Sequence, residues 1–217
     1  MAGDFAGVAL MTEYPRLDDG SGDRSGAAIT SVIELAKEGD SYAFEQLITS
    51  YQHRVVATAW RMLGNQEDAR DAAQEVFLRV YRHLKKFRSG EDFSAWLYRI
   101  TINVCRDAHR RRGPQDRFAS FESELELGNL PEGANANDVE AAAILSQEQA
   151  IIASALDTLS PKEREAIVLR DLEGLATEEV ARILGSSATT VRSQICSARA
   201  KIKQYRDRLM NRRRREL

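Results

Sequence analysis

The segment 160–209 contains three helical patterns separated by glycines, and it constrains the fold more than any other part of the chain. Ser160 followed by Pro161 and Glu163 predicts a helix start. The hydroxyl can cap the first turn, proline is tolerated there, and the glutamate three residues after the serine can reach back to the cap. We expect this first helix to run to about Asp171.

Two glycines divide the rest of the segment. Gly174 interrupts the pattern, and Thr177 is predicted to cap a short second helix that ends at Gly185. Ser187 is predicted to cap a third helix. Its apolar residues recur at steps of three and four and predict one buried stripe: Val191, Ile195, Ala198, Ile202, Tyr205 and Leu209. A short helix, a glycine-containing turn and a longer polar helix are typical of a helix-turn-helix.

The face of the third helix opposite this stripe carries polar and basic side chains. Because the first turns of such a helix enter the major groove, an arginine there can contact guanine through two hydrogen bonds, worth about 1–3 kcal/mol of discrimination. Arg192 is the candidate for this contact. Arg199, Lys201 and Lys203 suit phosphate contacts. An ordinary helix pair with a solvated basic face is the alternative.

The remainder of the chain also favours helices. Apolar residues recur at helical spacing from Ile29 to about Arg112, and neither β-strand alternation nor an internal repeat is evident. We therefore predict an all-α fold with two small helical domains joined by an acidic flexible linker. The predicted boundaries are a flexible extension over 1–28, a first domain over 29–112, a linker over 113–148, a second domain over 149–211 and a basic tail over 212–217.

Charge is segregated along the chain, although the net charge is only -2. The linker is acidic, whereas bases dominate from Arg192 onward, which suits a nucleic-acid partner. No stretch reaches the roughly 18 apolar residues of a membrane span, so we expect a cytoplasmic protein with no membrane insertion. The two cysteines and three histidines lack ligand spacing, and we expect no metal, cofactor or catalytic centre.

One helix of the first domain carries a surface that core packing does not explain. It is predicted from about Glu67 to Leu84, with a buried face of Ala69, Ala73, Val76, Phe77, Val80 and Leu84. Another face places a leucine beside two carboxylates: Asp71, Glu75, Leu78 and Arg82. That mixture suits a protein partner, and a solvated face with one exposed leucine is the alternative.

A further helix is predicted from about Ser94 to Arg110. Its predicted buried stripe is Trp96 or Leu97, Ile100, Val104 and Ala108, and the opposite strip is Arg99, Asn103, Arg106 and Arg110. The polar loop from Arg88 to Phe93 precedes it and places arginine near aromatic side chains, as single-stranded nucleic-acid sites require. Core packing is the alternative role for Trp96.

Three stretches resemble the extracytoplasmic-function sigma factors, the compact two-domain branch of the sigma-70 family. They are DARDAAQEVFLRVYRHL at 68–84, FSAWLYRITINVCRD at 93–107 and LSPKEREAIVLRDLEGLATEEVARILGSSATTVRSQICSARAKI at 159–202. The resemblance covers about Ile29 to Leu209. It implies a factor that binds core RNA polymerase, directs it to a two-part promoter and helps to melt the −10 element, with no enzymatic activity of its own.

The resemblance also implies which residues serve each partner. The first domain would be region 2, docking on the β′ clamp helices, and the second would be region 4, near the β flap. The implied core-polymerase residues are Asp68, Asp71, Gln74, Glu75 and Leu78. The implied −10 residues are Arg88, Ser89, Phe93, Trp96, Arg99, Asn103, Arg106 and Arg110. The implied −35 residues are Ser187, Thr189, Thr190, Arg192, Ser193, Cys196, Ser197, Arg199 and Lys201.

One position departs from the family pattern. Ser197 stands where the family often has a base, so a phosphate or base contact is in question there. An anti-sigma protein is an expected partner, because such proteins usually hold free factors of this family inactive. The alternative function is a free-standing operator-binding regulator, although such regulators usually dimerise over paired half-sites and this chain shows no ligand domain or heptad seam. The basic faces also oppose an adaptor that binds only protein.

Overall fold

The computed structural model describes residues 24–88, 90–111 and 150–213, and every regular element within these ranges is a helix. The first four helices are α1 (Arg24–Glu38), α2 (Ser41–Leu63), α3 (Gln66–His83), which continues into a 3₁₀ turn (Leu84–Lys86), and α4 (Phe93–Arg111). The others are α5 (150–157), α6 (Pro161–Ile167), which continues into a π turn (Val168–Leu172), α7 (Thr177–Leu184) and α8 (Ala188–Arg213). The all-α prediction is confirmed, while the predicted linker lies outside the described residues.

The chain divides into two compact units, each with its own buried side chains. The first unit contains residues up to His53 together with Phe77–Glu91, and the second contains Arg54–Val76 and the chain from Asp92 onward. α1 begins at Arg24, inside the segment predicted to be a flexible extension. The domain boundaries given above remain predictions.

The first unit is built around α1, the beginning of α2 and the end of α3. The Asp40 carboxylate accepts hydrogen bonds from the backbone N–H groups of Tyr42 (2.9 Å) and Ala43 (3.1 Å), which caps α2. α1 contacts the 3₁₀ turn that follows α3. The apolar side chains buried in this unit include Ile33, Leu47, Val80, Leu84 and Phe87.

The buried face predicted for α3 is confirmed with one exception. Ala69, Ala73, Val76, Val80 and Leu84 are all buried. Phe77 is only half-buried, and Ala72 is buried instead. The opposite face of this helix is therefore left for solvent or a partner.

α4 buries two faces where the sequence predicted one. Of the predicted stripe, Leu97 and Val104 are buried, whereas Trp96, Ile100 and Ala108 are only half-buried. A second face is also covered, because α4 contacts α7. The buried residues missed by the single-stripe prediction are Tyr98, Thr101, Ile102 and Cys105.

The start of α6 confirms the predicted capping signature. The Ser160 side chain accepts from the Glu163 backbone N–H, and the Glu163 carboxylate accepts from the Ser160 N–H at 2.8 Å. The helix then widens, because the Glu173 N–H bonds to the Val168 carbonyl five residues back. This π turn carries the helical conformation to Leu172, close to the predicted end.

The prediction that Thr177 caps α7 is wrong. Ala176 is the N-cap, and Glu179 supplies the polar contact by accepting from the Ala176 N–H at 2.8 Å. Thr177 is consequently the first helical residue. Gly185 ends the helix as predicted, in the left-handed conformation with φ 64°, and the following Ser186 N–H bonds to the Ala181 carbonyl.

The apolar stripe of α8 is buried over its first half only. Val191, Ile195 and Ala198 are buried against the preceding helices. Ile202, Tyr205 and Leu209 are half-exposed, because the helix continues to Arg213 beyond the elements that cover its beginning.

Replacing Gly185 by alanine should destabilise the fold by about 1–2 kcal/mol, since a side chain in the left-handed region is strained. A Cβ there would meet no heavy atom within 4 Å, so backbone strain alone produces the effect. Urea unfolding followed by circular dichroism measures it. Ser186→Ala, at the exposed neighbouring position, should change stability by less than about 0.5 kcal/mol. Equal stability of Gly185→Ala and the parent protein would contradict this account.

Candidate nucleic-acid interface

The first turns of α8 present a polar, exposed surface. The Ser187 hydroxyl accepts from the Thr190 N–H at 3.0 Å, which confirms the predicted cap. Burial of Val191 and Ile195 directs the intervening positions outward. The exposed residues of this surface are Thr189, Thr190, Arg192, Ser193, Cys196 and Arg199.

The two arginines of this surface are ion-paired with the preceding elements. Arg192 donates to Glu178 at 2.7 Å, and Arg199 donates to both oxygens of Asp171 at 2.8 and 2.7 Å. Hydrogen bonding to Asp171 raises the pKa of Arg199. The side chains of the Arg192–Glu178 pair are 59% and 64% exposed, and such surface pairs contribute only about 0–1 kcal/mol. A phosphate or a guanine could therefore displace Glu178.

Ser197 and Lys201 take a different position from the rest of the predicted −35 residues. Both are half-buried and donate to Glu163, Ser197 to Oε1 at 2.5 Å and Lys201 to Oε2 at 2.7 Å. The serine that replaces a frequent base thus connects α8 to the capping box of α6. This contact could not be predicted from the sequence, because the capping role of Glu163 already explained that residue.

Burial opposes ionisation of Glu163, but hydrogen bonds from Lys201, Ser197 and Ser160 outweigh it and lower the pKa to about 2. The carboxylate is therefore charged over the whole physiological range. It joins α6 to α8, the longer helix of the helix-turn-helix.

The predicted −10 residues differ in how far their side chains are exposed to solvent. Arg88, Arg99, Asn103 and Arg110 are exposed, whereas Phe93 is buried and Trp96 is half-buried. The Phe93 and Trp96 rings lie 5.7 Å apart between centroids. Ser89 lies outside the described residues. This arrangement leaves a basic strip along α4 beside one partly open aromatic ring.

Within this strip, Arg106 forms a two-bond ion pair with a buried glutamate. Its guanidinium donates through Nε and Nη2 to the two oxygens of Glu165, each at 2.6 Å. These hydrogen bonds raise the pKa of Arg106. Arg99 also donates to the Arg182 carbonyl at 3.4 Å. The sequence predicted the strip as a nucleic-acid face and gave no indication of these protein contacts.

Glu173 forms a second buried carboxylate cluster at the end of the π turn. It accepts from Arg61 at 2.6 Å, from Tyr98 at 2.7 Å, and lies 2.8 Å from the Thr58 hydroxyl. Arg54 in turn donates to the Tyr98 hydroxyl at 2.9 Å. Burial and then the charge of Glu173 raise the pKa of Tyr98, so its hydroxyl stays protonated and donates.

The face of α3 predicted to bind a protein is open. Asp71 and Gln74 are exposed, and Leu78 is 44% exposed, a large fraction for a leucine. Asp68 and Glu75 are half-buried. An apolar side chain thus lies among carboxylates on one helical face.

Two further features bear on the kind of site. Among the described residues, no group of three or more histidine, cysteine, aspartate or glutamate side chains is arranged to hold a metal ion. Within the same ranges, no helix has the length and apolar character needed to cross a membrane.

Comparison with known proteins shows that two segments of the chain match models of the same protein family. Residues 47–115 match the family model of sigma-70 region 2, and residues 149–202 match that of sigma-70 region 4. The chain belongs to the sigma-70 family. The order of the two matches is that of the predicted domains, and the second match contains the helix-turn-helix.

Curated relatives agree with this assignment. The chain is 36% identical to the ECF RNA polymerase sigma-E factor of Escherichia coli over 177 residues, which cover 79% of this chain and 90% of the relative. It is 33% identical, with the same coverage, to the RNA polymerase sigma-H factor of Pseudomonas aeruginosa. The protein is thus an RNA polymerase sigma factor of the extracytoplasmic-function type.

Two solved structures share the fold. CnrH, determined in complex with the cytosolic domain of CnrY, is 30% identical with a TM-score of 0.62, and the match covers 83% of this chain and 97% of CnrH. RpoE from Bartonella quintana, determined with the anti-sigma factor NepR, is 22% identical with a TM-score of 0.57, and the match covers 76% of this chain and 96% of RpoE.

Glu163→Gln should lower the free energy of unfolding of this sigma factor at neutral pH by about 1–2 kcal/mol, because it removes the charge that Lys201 contacts. A carboxylate with a depressed pKa stabilises the folded state above its unfolded pKa and loses that effect as the pH falls toward the folded value. The difference between parent and variant should therefore shrink between about pH 4.5 and pH 2.

Urea titrations at several pH values measure this difference. Glu67→Gln is the control, because Glu67 is an exposed carboxylate on α3. A difference for Glu163→Gln that stayed constant down to pH 2 would show that Lys201 and Ser197 do not stabilise the charged form.

Proposed function

We propose that this sigma factor binds core RNA polymerase through α3, holds the melted −10 strand along α4 and reads the −35 element as duplex through α8. The observation that carries the proposal is the exposed start of α8, where Ser187 caps a helix whose polar face is open over the turns that would enter the major groove. The protein would act in the cytoplasm and catalyse no reaction itself.

Reading of the −35 element is assigned to the exposed residues of α8. Arg192 is held near the surface of the helix-turn-helix by Glu178 and can exchange that carboxylate for a guanine edge. Arg199 would contact phosphate. Because Ser197 and Lys201 are engaged by Glu163, we infer that they act by orienting α8 while Lys201 adds positive charge nearby.

Contacts to the −10 element are assigned to α4 and the preceding loop. The basic strip can hold phosphates, and the partly open Trp96 ring can support an unstacked base. Phe93 supports that ring from the buried side. Binding of single-stranded DNA here would require Arg106 to leave Glu165.

Core-polymerase binding is assigned to the exposed face of α3. Leu78 would be buried by the partner, and Asp71, Gln74, Glu75 and Asp68 would pair with polar or basic side chains around it. By analogy with RpoE, whose structure was determined with an anti-sigma factor, an anti-sigma protein is a further proposed partner.

In vitro transcription tests the proposed function directly. Purified core polymerase is incubated with a library of promoter fragments, with and without the protein, and the starts of the transcripts are sequenced. Transcripts that depend on the protein and share an upstream −35 and −10 pair support the proposal. Tight binding to duplex DNA by the protein alone, without dependent transcripts, would instead favour an operator-binding regulator.

Arg192→Ala should reduce transcription from promoters that need the −35 element by about tenfold or more, because a two-bond guanine contact is lost. Binding to core polymerase, measured by fluorescence anisotropy, should be unchanged. Arg208→Ala is the matched control, since it removes the same charge from an exposed position later in α8. If every promoter were transcribed equally by parent and Arg192→Ala, the reading face would lie elsewhere.

Reversal of charge at Asp71 and Glu75, by Asp71→Arg with Glu75→Arg, should weaken core-polymerase binding by at least tenfold, because like charges would face the partner. Binding of the protein to −35 duplex should persist. The control is the same reversal at Glu38 and Glu45, which are exposed on α1 and α2. Retained polymerase affinity in the α3 variant would contradict the assignment of this face.

A further inference from the structure

The ion pair between Glu178 and Arg192 joins α7 to the reading surface of α8. Glu178 lies in the first turn of α7, and Arg192 lies in the second turn of α8. The guanidinium donates from Nη2 to the carboxylate at 2.7 Å, across 14 residues of sequence. Both side chains are more than half exposed. The pair therefore lies on the surface that would meet the edges of the bases.

The pair uses only part of the hydrogen-bonding capacity of Arg192. A guanidinium has five N–H donors, and Glu178 accepts from one of its nitrogens. Contact with the O6 and N7 atoms of guanine needs two donors. Glu178 can therefore keep its hydrogen bond while other donors of Arg192 bind a guanine. The same hydrogen bond restricts the orientations of the long arginine side chain before DNA arrives.

A phosphate competes with guanine for the same donors. Either ligand can take two parallel hydrogen bonds from an arginine, and a phosphate follows every nucleotide whatever its base. An arginine that binds phosphate adds affinity but carries no information about the sequence. Reading of a base by Arg192 thus requires that phosphate be disfavoured at this position.

The charge of Glu178 distinguishes the two ligands. Because Glu178 belongs to α7, its carboxylate stays close to any ligand of Arg192, even when the ion pair itself is exchanged. A phosphate is negatively charged and is repelled by the carboxylate, whereas the edge of a guanine is neutral. The first turn of a helix also favours an acidic side chain, so α7 accommodates this charge.

We propose that Glu178 is a specificity-determining residue, which keeps phosphate away from Arg192 and orients the guanidinium toward guanine in the −35 duplex. The inference rests on the proposed −35 role of α8, and it adds a positioning residue that lies on α7, outside the reading helix. Loss of Glu178 should have two opposite effects. Binding to DNA in general becomes tighter, while the preference for one sequence over another becomes weaker.

Binding to duplex DNA of random sequence tests the exclusion of phosphate. Fluorescence anisotropy measures the affinity of the full-length parent and of Glu178→Gln for a labelled random duplex pool at several salt concentrations. We expect about fivefold tighter binding by the variant. The slope of log K against log salt should steepen by about 0.9, the value for one added phosphate contact.

The same substitution in an Arg192→Ala background separates a local effect from a general one. Glu178→Gln should have little effect there, because the arginine that would receive the phosphate is absent. An equal gain in affinity in both backgrounds would overturn the action of Glu178 through Arg192. An unchanged affinity and salt slope in the single variant would overturn the exclusion of phosphate.

Promoter choice by the holoenzyme tests the effect on specificity. Core polymerase with parent or variant protein transcribes a library whose −35 segment is randomised, and sequencing gives the yield from each template. Arg192→Ala identifies the guanine position that depends on this arginine. Glu178→Gln should reduce the preference for guanine at that position by about fivefold, since phosphate then competes for Arg192.

Asp171→Asn is the matched control for loss of charge beside an arginine of α8. Asp171 accepts from Arg199, which is assigned to a phosphate. The control should therefore strengthen binding to all duplexes and leave the guanine preference as in the parent protein. An equal loss of preference in the control and in Glu178→Gln would overturn the particular role of Glu178.

These outcomes distinguish the role of Glu178 from the proposed role of α8. If Arg192→Ala leaves every −35 preference intact, the reading role of Arg192 fails, and the role of Glu178 fails with it. If Arg192→Ala removes a guanine preference that Glu178→Gln retains, the reading role of Arg192 stands and only the role of Glu178 is overturned.

Discussion

A carboxylate removed from water must be surrounded by cations and hydrogen-bond donors, and three glutamates of region 4 depend on this constraint. Glu163, Glu165 and Glu173 are all largely buried. Their basic partners lie on three different helices: Lys201 on α8, Arg106 on α4 and Arg61 on α2. Pairing of these charges therefore sets where α6 and the π turn lie among the helices of the second unit.

Local signals in the sequence were sufficient to predict where most of the helices from α6 to α8 begin and end. The Ser160 capping box, the Ser187 cap and the left-handed Gly185 each depend on residues within a few positions, and the structure confirms all three. Thr177 was misassigned because Ala176 can serve as the N-cap when Glu179 accepts its backbone N–H. The existence of the helix was thus predictable, whereas its N-cap residue depended on which backbone N–H the Glu179 carboxylate accepts from.

Pairs far apart in the sequence could not be predicted. Arg106 and Glu165 are 59 residues apart, and Thr58 and Glu173 are 115 apart, so no helical period connects them. The second buried face of α4 was missed for the same reason. Periodicity shows that a helix has an apolar stripe, but it does not show which other helix covers the polar residues. Ser197 was flagged as unusual, but only the position of Glu163 explains what it contacts.

The π turn over Val168–Leu172 also limits how this chain can change in length. A residue in an α-helix advances the next side chain by about 100°, and a π turn inserts one residue without breaking the helix. Deletion of a single residue within the π turn would let the ordinary α-helix resume with Glu173 still facing roughly toward Arg61, because the wider turn takes up the extra residue. A relative shorter by this one residue could therefore keep the same acid and base, whereas a deletion in the regular part of α6 would rotate the glutamate by about 100° away from the arginine.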